Sequence, residues 1–340
     1  MGLADRPLAL TLGDPAGIGP DVTLLAWAAR TREAIPPFVL LGDASVLAAR
    51  AHGLGLDVPI GEIDDVNKAP ALFQTTLPVL SIPISGKVIA GRPDAAAVAA
   101  IRESIEHAVR LALAGAARAV VTNPISKAVL YGTGFSFPGH TEYLASLASP
   151  NGPPLHPVMM LASPTLKVVP VTIHAALKDV PHMLTRELIL ATIEITARDL
   201  GRYFGLKRPR LAVSGLNPHA GEDGSLGREE IGIIGPALDA ARAKGFDVTG
   251  PHPADTLFHQ GARATYDAAI CMYHDQALVP FKTLAFEEGV NVTLELPFIR
   301  TSPDHGTAFS IAGSGKANPR SLIEALRLAA AMSDKAEGRA

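Results

Sequence analysis

Leu8–Arg30 reads LALTLGDPAGIGPDVTLLAWAAR, and the order of residue types in it decides the fold class. Leu8–Leu12 is a short apolar run that predicts a buried strand. Gly13–Pro20 (GDPAGIGP) is dense in glycine and proline and reads as a turn. Asp21–Arg30 then reads as a helix. The same unit recurs outward along the chain. Phe38–Leu41 is a strand followed by a helix near Ala44–His52. Ala119–Thr122 is a strand that turns through Asn123–Lys127 (NPISK) into a helix. Asp94–Ala114, Arg186–Tyr203, Arg228–Lys244 and Pro319–Ala331 are further helices, with a frayed tail after Asp334. Gly53–Pro83 is weakly patterned. Strands alternating with helices argue for a parallel α/β architecture.

Three further apolar runs each lead to a histidine. Leu166–Ile173 ends at His174, Leu211–Ser214 precedes His219 across a GLNP turn, and Ala268–Tyr273 ends at His274. In a parallel sheet, residues just past the strand ends face one crevice, where ligands of α/β folds bind. Three neutral imidazoles there suit a divalent cation with open coordination positions. Any one of them alone reads better as a loop or helix-cap residue. Three at equivalent places, with Asp255 and Asp275 nearby, favour the metal reading.

Composition bounds the rest. A chain of 340 residues, 48% hydrophobic and 19% charged, is globular and long enough for two domains. Net charge is −3 with no basic stretch, which argues against nucleic acid or an anionic membrane as partner. The single Cys271 has no intrachain partner and fits a reducing cytoplasm. No run reaches transmembrane length, so the expectation is a soluble cytoplasmic protein.

Other constellations carry two readings each. GDPAGIGP either cradles an anion on backbone N–H groups or simply needs glycine for a tight turn; it is not a nucleotide motif. In Phe135–Glu142 (FSFPGHTE), His140 and Thr141 either meet a ligand or Thr141 caps a helix. Lys282, close after His274-Asp275-Gln276, is either an acid–base group or a surface lysine. Asn291–Asn318 reads as one long loop holding Arg300, Asp304, His305 and several glycines. Arg300 suits a bidentate grip on phosphate or carboxylate.

The motifs GDPAGIGP, TNPISK, FPGHTEYLA, GLNPHAGE, PADTLF, MYHDQ, GVNVTLELPFIRTS and DHGTA occur in order along nearly the whole chain. Together they resemble the 4-hydroxythreonine-4-phosphate dehydrogenase family. The resemblance implies an isocitrate/isopropylmalate dehydrogenase-like α/β fold, with an active-site cleft between two α/β domains. Residues 1–125 plus 305–340 would form the first, and 126–304 the second, carrying the metal site and the dimer interface. It implies a homodimer with a metal site shared between subunits, holding zinc, cobalt or magnesium. Carried over residue by residue, His174, His219 and His274 fall on the metal ligands. His140, Thr141, Lys282, Asn291 and Arg300 fall on substrate contacts, and Asp255 and Asp275 on acidic active-site positions, with Lys282 and the two aspartates as candidate catalytic groups.

A local resemblance links His305-Gly306-Thr307-Ala308 through Lys316-Ala317-Asn318-Pro319 to the cofactor loop of the decarboxylating dehydrogenases. It implies contacts of His305, Gly306 and Asn318 with NAD or NADP. Two positions depart from these patterns. Ser310 stands where NAD-selective members carry aspartate, and Ser126 where some relatives carry histidine. The implied activity is nicotinamide- and metal-dependent oxidation of 4-phosphooxy-L-threonine, then decarboxylation to 3-amino-2-oxopropyl phosphate, in pyridoxal 5'-phosphate synthesis. The competing expectations are a sister dehydrogenase acting on a threonate-type phosphate or an aromatic cis-dihydrodiol acid, and a phosphate acyltransferase.

Overall fold

The computed structural model describes residues 5–132, 137, 139–150 and 152–338. Two compact units divide the chain. The first comprises residues up to Pro157 together with Leu296–Gly338, and the second Val158–Glu295. These boundaries differ from the expected 125/126 and 304/305. The reason is packing: Leu130, Tyr143, Leu144 and Phe298 all belong to the core cluster of the first unit, alongside Ile101 and Ile105.

In the first unit the strands are β1 (Leu8–Thr11), β2 (Phe38–Gly42), β3 (Ile60–Ile63), β4 (Leu77–Ser81) and β5 (Val120–Thr122). The second unit holds β6 (Val158–Ala162), β7 (Lys167–Pro170), β8 (Arg210–Ser214), β9 (Asp247–His252), β10 (Ala268–Cys271) and β11 (Val290–Leu294). The chain then returns to the first unit with β12 (Arg300–Pro303). The first unit's strands run β3-β4-β2-β1-β5-β12, all parallel. β1 and β2 are buried at every position, as strands covered on both faces must be. Helix Val98–Leu113 turns Ile101, Ile105, Ala108 and Val109 inward, at helical spacing, and Asp94 accepts the Ala96 N–H just ahead of it.

The second unit orders its strands β11-β6-β7-β10-β8-β9. β7, β10, β8 and β9 are parallel, but β6 is antiparallel to both β7 and β11. Here the purely parallel expectation fails, because apolar patterning locates a strand without giving its direction. Helix Arg186–Phe204 is capped by Thr185, which accepts the Leu188 N–H at 3.1 Å, and ends at left-handed Gly205. The expected helix Arg228–Lys244 is two pieces, a wide turn over Glu230–Ile234 and an α-helix over Gly235–Ala243. Pro236 has no amide proton with which to continue a regular ladder through that junction.

Two other expectations need correction. Asn291–Asn318 is not one long loop: Asn291 lies on β11 and Arg300 on β12. The last helix runs Arg320–Ala336, past the expected fraying point.

Candidate active site

β7, β10 and β8 are successive neighbours in the second unit, and all three run parallel. His174, His274 and His219 follow their respective C-terminal ends. The strands stop earlier than their apolar runs suggest, at Pro170 and Cys271. Backbone pairing persists beyond them: the Val171 N–H donates to the Cys271 carbonyl at 2.8 Å, and the Thr172 hydroxyl to the Met272 carbonyl at 2.7 Å. That pairing carries His174 alongside His274, with ring centroids 6.1 Å apart. Both line a cavity of about 270 Å³ with Tyr273, Asp275 and Leu177. His274 is the first residue of helix His274–Ala285. Its Nδ1 pairs with Asp275 Oδ1 at 2.7 Å, which leaves Nε2 as the nitrogen for a ligand.

Gln276 joins the exits of β8 and β10. Its Oε1 accepts from the Ser214 hydroxyl at 2.8 Å and the Met272 N–H at 2.7 Å, and its amide donates to the Gly215 carbonyl at 2.8 Å. His219 sits on an unusual turn. His219, Ala220, Gly221, Glu222 and Asp223 all have positive φ, between 41° and 82°. Four of these are not glycine, a conformation that costs roughly 1–2 kcal/mol per residue. Buried Glu230 holds the entry to this turn. Its carboxylate accepts the Leu216 and Asn217 backbone N–H groups, both at 2.8 Å, and the Asn217 side-chain amide at 3.0 Å. A Cβ at Gly221 would lie 2.5 Å from the same carboxylate.

Replacing Glu230 with alanine strands two backbone donors. The expected loss is about 2–4 kcal/mol of stability, with the turn around His219 exchanging its amide hydrogens faster. Chemical denaturation with hydrogen exchange checks this; wild-type protection of residues 216–224 in the variant would refute the role.

Among the described residues, no three His, Cys, Asp or Glu side chains of one chain come close enough to hold an ion together. His174, His274 and Asp275 line one cavity without forming a ligand cluster, while His219 stands beyond the adjacent strand. Asp255 is exposed, on a short turn packed against the turn of His219. Lys282 is half-buried with its ammonium 5.8 Å from the Phe286 ring. On β11, half-buried Asn291 carries a buried side-chain oxygen with no hydrogen-bond partner among the described residues.

The anion-binding candidates gather in the first unit. Arg300 is 4% exposed on β12 and donates from Nη2 to Thr122 Oγ1 at the end of β5, at 2.6 Å. Burial lowers its guanidinium to about 10. His140 opens helix His140–Ala148, with Thr141 half-buried next to it. Desolvation pushes the His140 imidazole well below its ordinary value, and the charges of Arg300 and Lys127 push it further. It is therefore neutral at neutral pH, and its buried Nε2 has no hydrogen-bond partner among the described residues. Phe135, Ser136 and Pro138 of the FSFPGHTE stretch lie outside the described residues.

The cofactor-loop candidates are also in the first unit. His305 Nδ1 meets the Gly306 carbonyl at 3.1 Å, and a Cβ on Gly306 would face open space. Asn318 is exposed and accepts the Arg320 N–H at 3.0 Å at the start of the last helix. The GDPAGIGP turn packs on this loop: the Ile18 N–H donates to the Thr307 carbonyl at 2.9 Å, and a Cβ at Gly17 would lie 2.8 Å from that oxygen. Buried Arg50 binds the Gly17 and Pro15 carbonyls and pairs with Asp21, which accepts the Gly313 N–H at 2.7 Å. Sequence reasoning missed Glu230, Gln276, Thr122, Lys127 and Arg50. Only the acidic–amide spacing of MYHDQ offered any signal, for Gln276.

The sequence profile of the PdxA family, described as pyridoxal phosphate biosynthetic protein PdxA, matches residues 33–329. This chain belongs to the PdxA family. The 4-hydroxythreonine-4-phosphate dehydrogenase of Methylorubrum populi is 59% identical over 333 residues, covering 97% of this chain and 95% of that protein. The crystal structure of the Klebsiella pneumoniae 4-hydroxythreonine-4-phosphate dehydrogenase superimposes with TM-score 0.86 at 40% identity, covering 96% of this chain and 98% of that one. A terephthalate 1,2-cis-dihydrodiol dehydrogenase from Burkholderia xenovorans LB400 is more distant, with TM-score 0.63, 28% identity, and coverage of 96% and 98%. The PdxA fold is thus shared across dehydrogenases of different named substrates. No helix among the described residues is long and apolar enough to cross a membrane.

Proposed function

We propose that this PdxA member oxidises 4-phosphooxy-L-threonine at C3, with NAD or NADP as acceptor and a divalent cation, and that the resulting β-keto acid loses CO2 to give 3-amino-2-oxopropyl phosphate. The observation that carries the metal-dependent reading is the placement of His174, His274 and His219 beyond three adjacent parallel strands. Imidazole nitrogens with a carboxylate beside them fit zinc, cobalt or magnesium, the nitrogen-rich set favouring the first two. When bound, the cation polarises the C3 hydroxyl and then the ketone, and the dinucleotide takes the hydride.

The chain's own residues bind and orient. Arg300 and neutral His140, with Thr141, grip an anionic end of the substrate, and Asn291 offers a buried acceptor. The proton of the C3 hydroxyl passes to Lys282 or Asp255, because Asp275 is committed to the His274 ring. His305, Gly306 and Asn318 receive the adenine end of the cofactor. Ser310 neither repels nor strongly attracts a 2'-phosphate, so both dinucleotides serve.

The two-histidine arrangement within one chain supports a site completed by a second copy. Leu177, Val279 and Phe286, which are 66%, 62% and 74% exposed, support an apolar contact on the second unit. Light scattering should give twice the 35.4 kDa chain mass; the mass of a single chain would overturn the shared site. The single cysteine is buried, in keeping with a reducing cytoplasm.

A substrate panel tests the reaction. Reduced nicotinamide should form with 4-phosphooxy-L-threonine and not with a threonate phosphate or a cis-dihydrodiol acid. Turnover of either of those instead would move the protein to the sister activity.

A further inference from the structure

Asp14, second residue of the GDPAGIGP turn, is 2% exposed. Its backbone N–H donates to the Pro124 carbonyl at 2.9 Å, and its Oδ1 accepts the Ala16 N–H at 3.0 Å. Oδ2 is buried and has no hydrogen-bond partner among the described residues. A buried carboxylate oxygen without a donor is unfavourable, and burial pushes this carboxyl above its usual range. The position has room for one more donor.

Asp14 lines a cavity of about 40 Å³ with Ser85, Gly86, Lys87 and Arg92. That volume admits one functional group and not a ring. Gly86, Lys87 and Val88 also line a second cavity of about 400 Å³, which reaches Arg50 and Gly313. A volume of that size suits a nucleoside. Gly313 belongs to the loop read as the adenine site, and Asp21 ties its N–H to the helix that follows the Asp14 turn. One wall, Gly86–Val88, is therefore common to a nucleoside-sized cavity and a small one ending in an unsatisfied acceptor. Lys87 on that wall suits the diphosphate between the two ends of a dinucleotide. The N–H donors of a nicotinamide ring are those of its carboxamide.

We propose that Asp14 accepts the carboxamide N–H of the nicotinamide and so sets which face of the ring is presented for hydride transfer. This rests on the nicotinamide-dependent reading above. The test is calorimetric binding to the full-length, metal-replete protein, with no turnover required. NAD is compared with its 3-acetylpyridine analogue, in which a methyl replaces the amino group. Wild type should bind NAD at least about tenfold more tightly, as befits loss of a charge-assisted hydrogen bond. In Asp14→Asn the new side-chain amide can donate to the carbonyl present in both ligands, so the ratio should fall to near one. Asp14→Ala should also bring it near one. Thermal melting of Asp14→Asn should match or exceed wild type, because a buried unpaired charge is gone. Equal binding of both ligands by wild type, or a ratio unchanged in Asp14→Asn, overturns the assignment while leaving the nicotinamide reading in place. Failure of wild type to bind NAD, NADP or the analogue overturns both.

Discussion

Replacing His274 with alanine should strip the protein of most of the proposed divalent cation and of its activity, while the fold survives. The side chain opens a helix at the mouth of a cavity, so its loss removes little packing. Its functional weight is chemical. The imidazole is oriented by Asp275 at 2.7 Å and stands 6.1 Å, centroid to centroid, from His174. Even changes to groups behind a ligand typically weaken metal affinity by 10–100-fold, so removing the ligand itself should cost at least ~100-fold. His174→Ala and His219→Ala should behave alike. Elemental analysis after dialysis measures the outcome, with circular dichroism to confirm folding. Full metal content in His219→Ala would show that the left-handed turn does not serve the metal.

Arg300→Lys should raise the Michaelis constant for the phosphorylated substrate by roughly 10–150-fold, the equivalent of losing about 1.5–3 kcal/mol of charge-assisted hydrogen bonding. An ammonium cannot reproduce a planar fork held against Thr122. Burial disfavours the guanidinium's charge and lowers it to about 10. The guanidinium still carries its charge at neutral pH, and an arriving anion would offset the cost of burying it. Protonation of His140 is opposed both by burial and by this neighbour. The imidazole binds as a neutral partner unless the substrate's charge offsets both. Steady-state kinetics on the phosphorylated and unphosphorylated amino acids would separate the effects. An unchanged Michaelis constant and turnover for both would remove Arg300 from the site.

The elements that build the site were legible where local chemistry is strong. The run LALTL is buried throughout and its strand ends at Thr11, one residue short of the reading, while the helix after the glycine–proline turn begins at Gly19, two residues before the expected Asp21. The runs leading to the three histidines are strands as well, though two stop short. β-Branched Val171 and Ile173 look like strand residues, yet regular pairing stops at Pro170. Arg300 was legible as a residue but its strand was not, because β11 and β12 are short and separated by turn residues around Pro297, which reads as loop. Glu230 and Gln276 were not legible for a different reason. Gln276 reaches Ser214 across 62 positions, and Glu230 holds a turn 13 and 14 positions earlier. No periodicity encodes such long-range acceptors. The reversed direction of β6 is likewise a property of pairing and not of pattern.

The most direct measurement uses one preparation in three states: as purified, after exhaustive chelation, and after reloading with zinc or cobalt. Each is given 4-phosphooxy-L-threonine with NAD or NADP, and reduced nicotinamide is followed at its absorbance band together with released CO2. The expected result is reduction and CO2 release in equal amounts, abolished by chelation and restored by metal. Reduction that persists undiminished after the metal has been removed, or no reduction with this substrate in any state, would contradict the assignment.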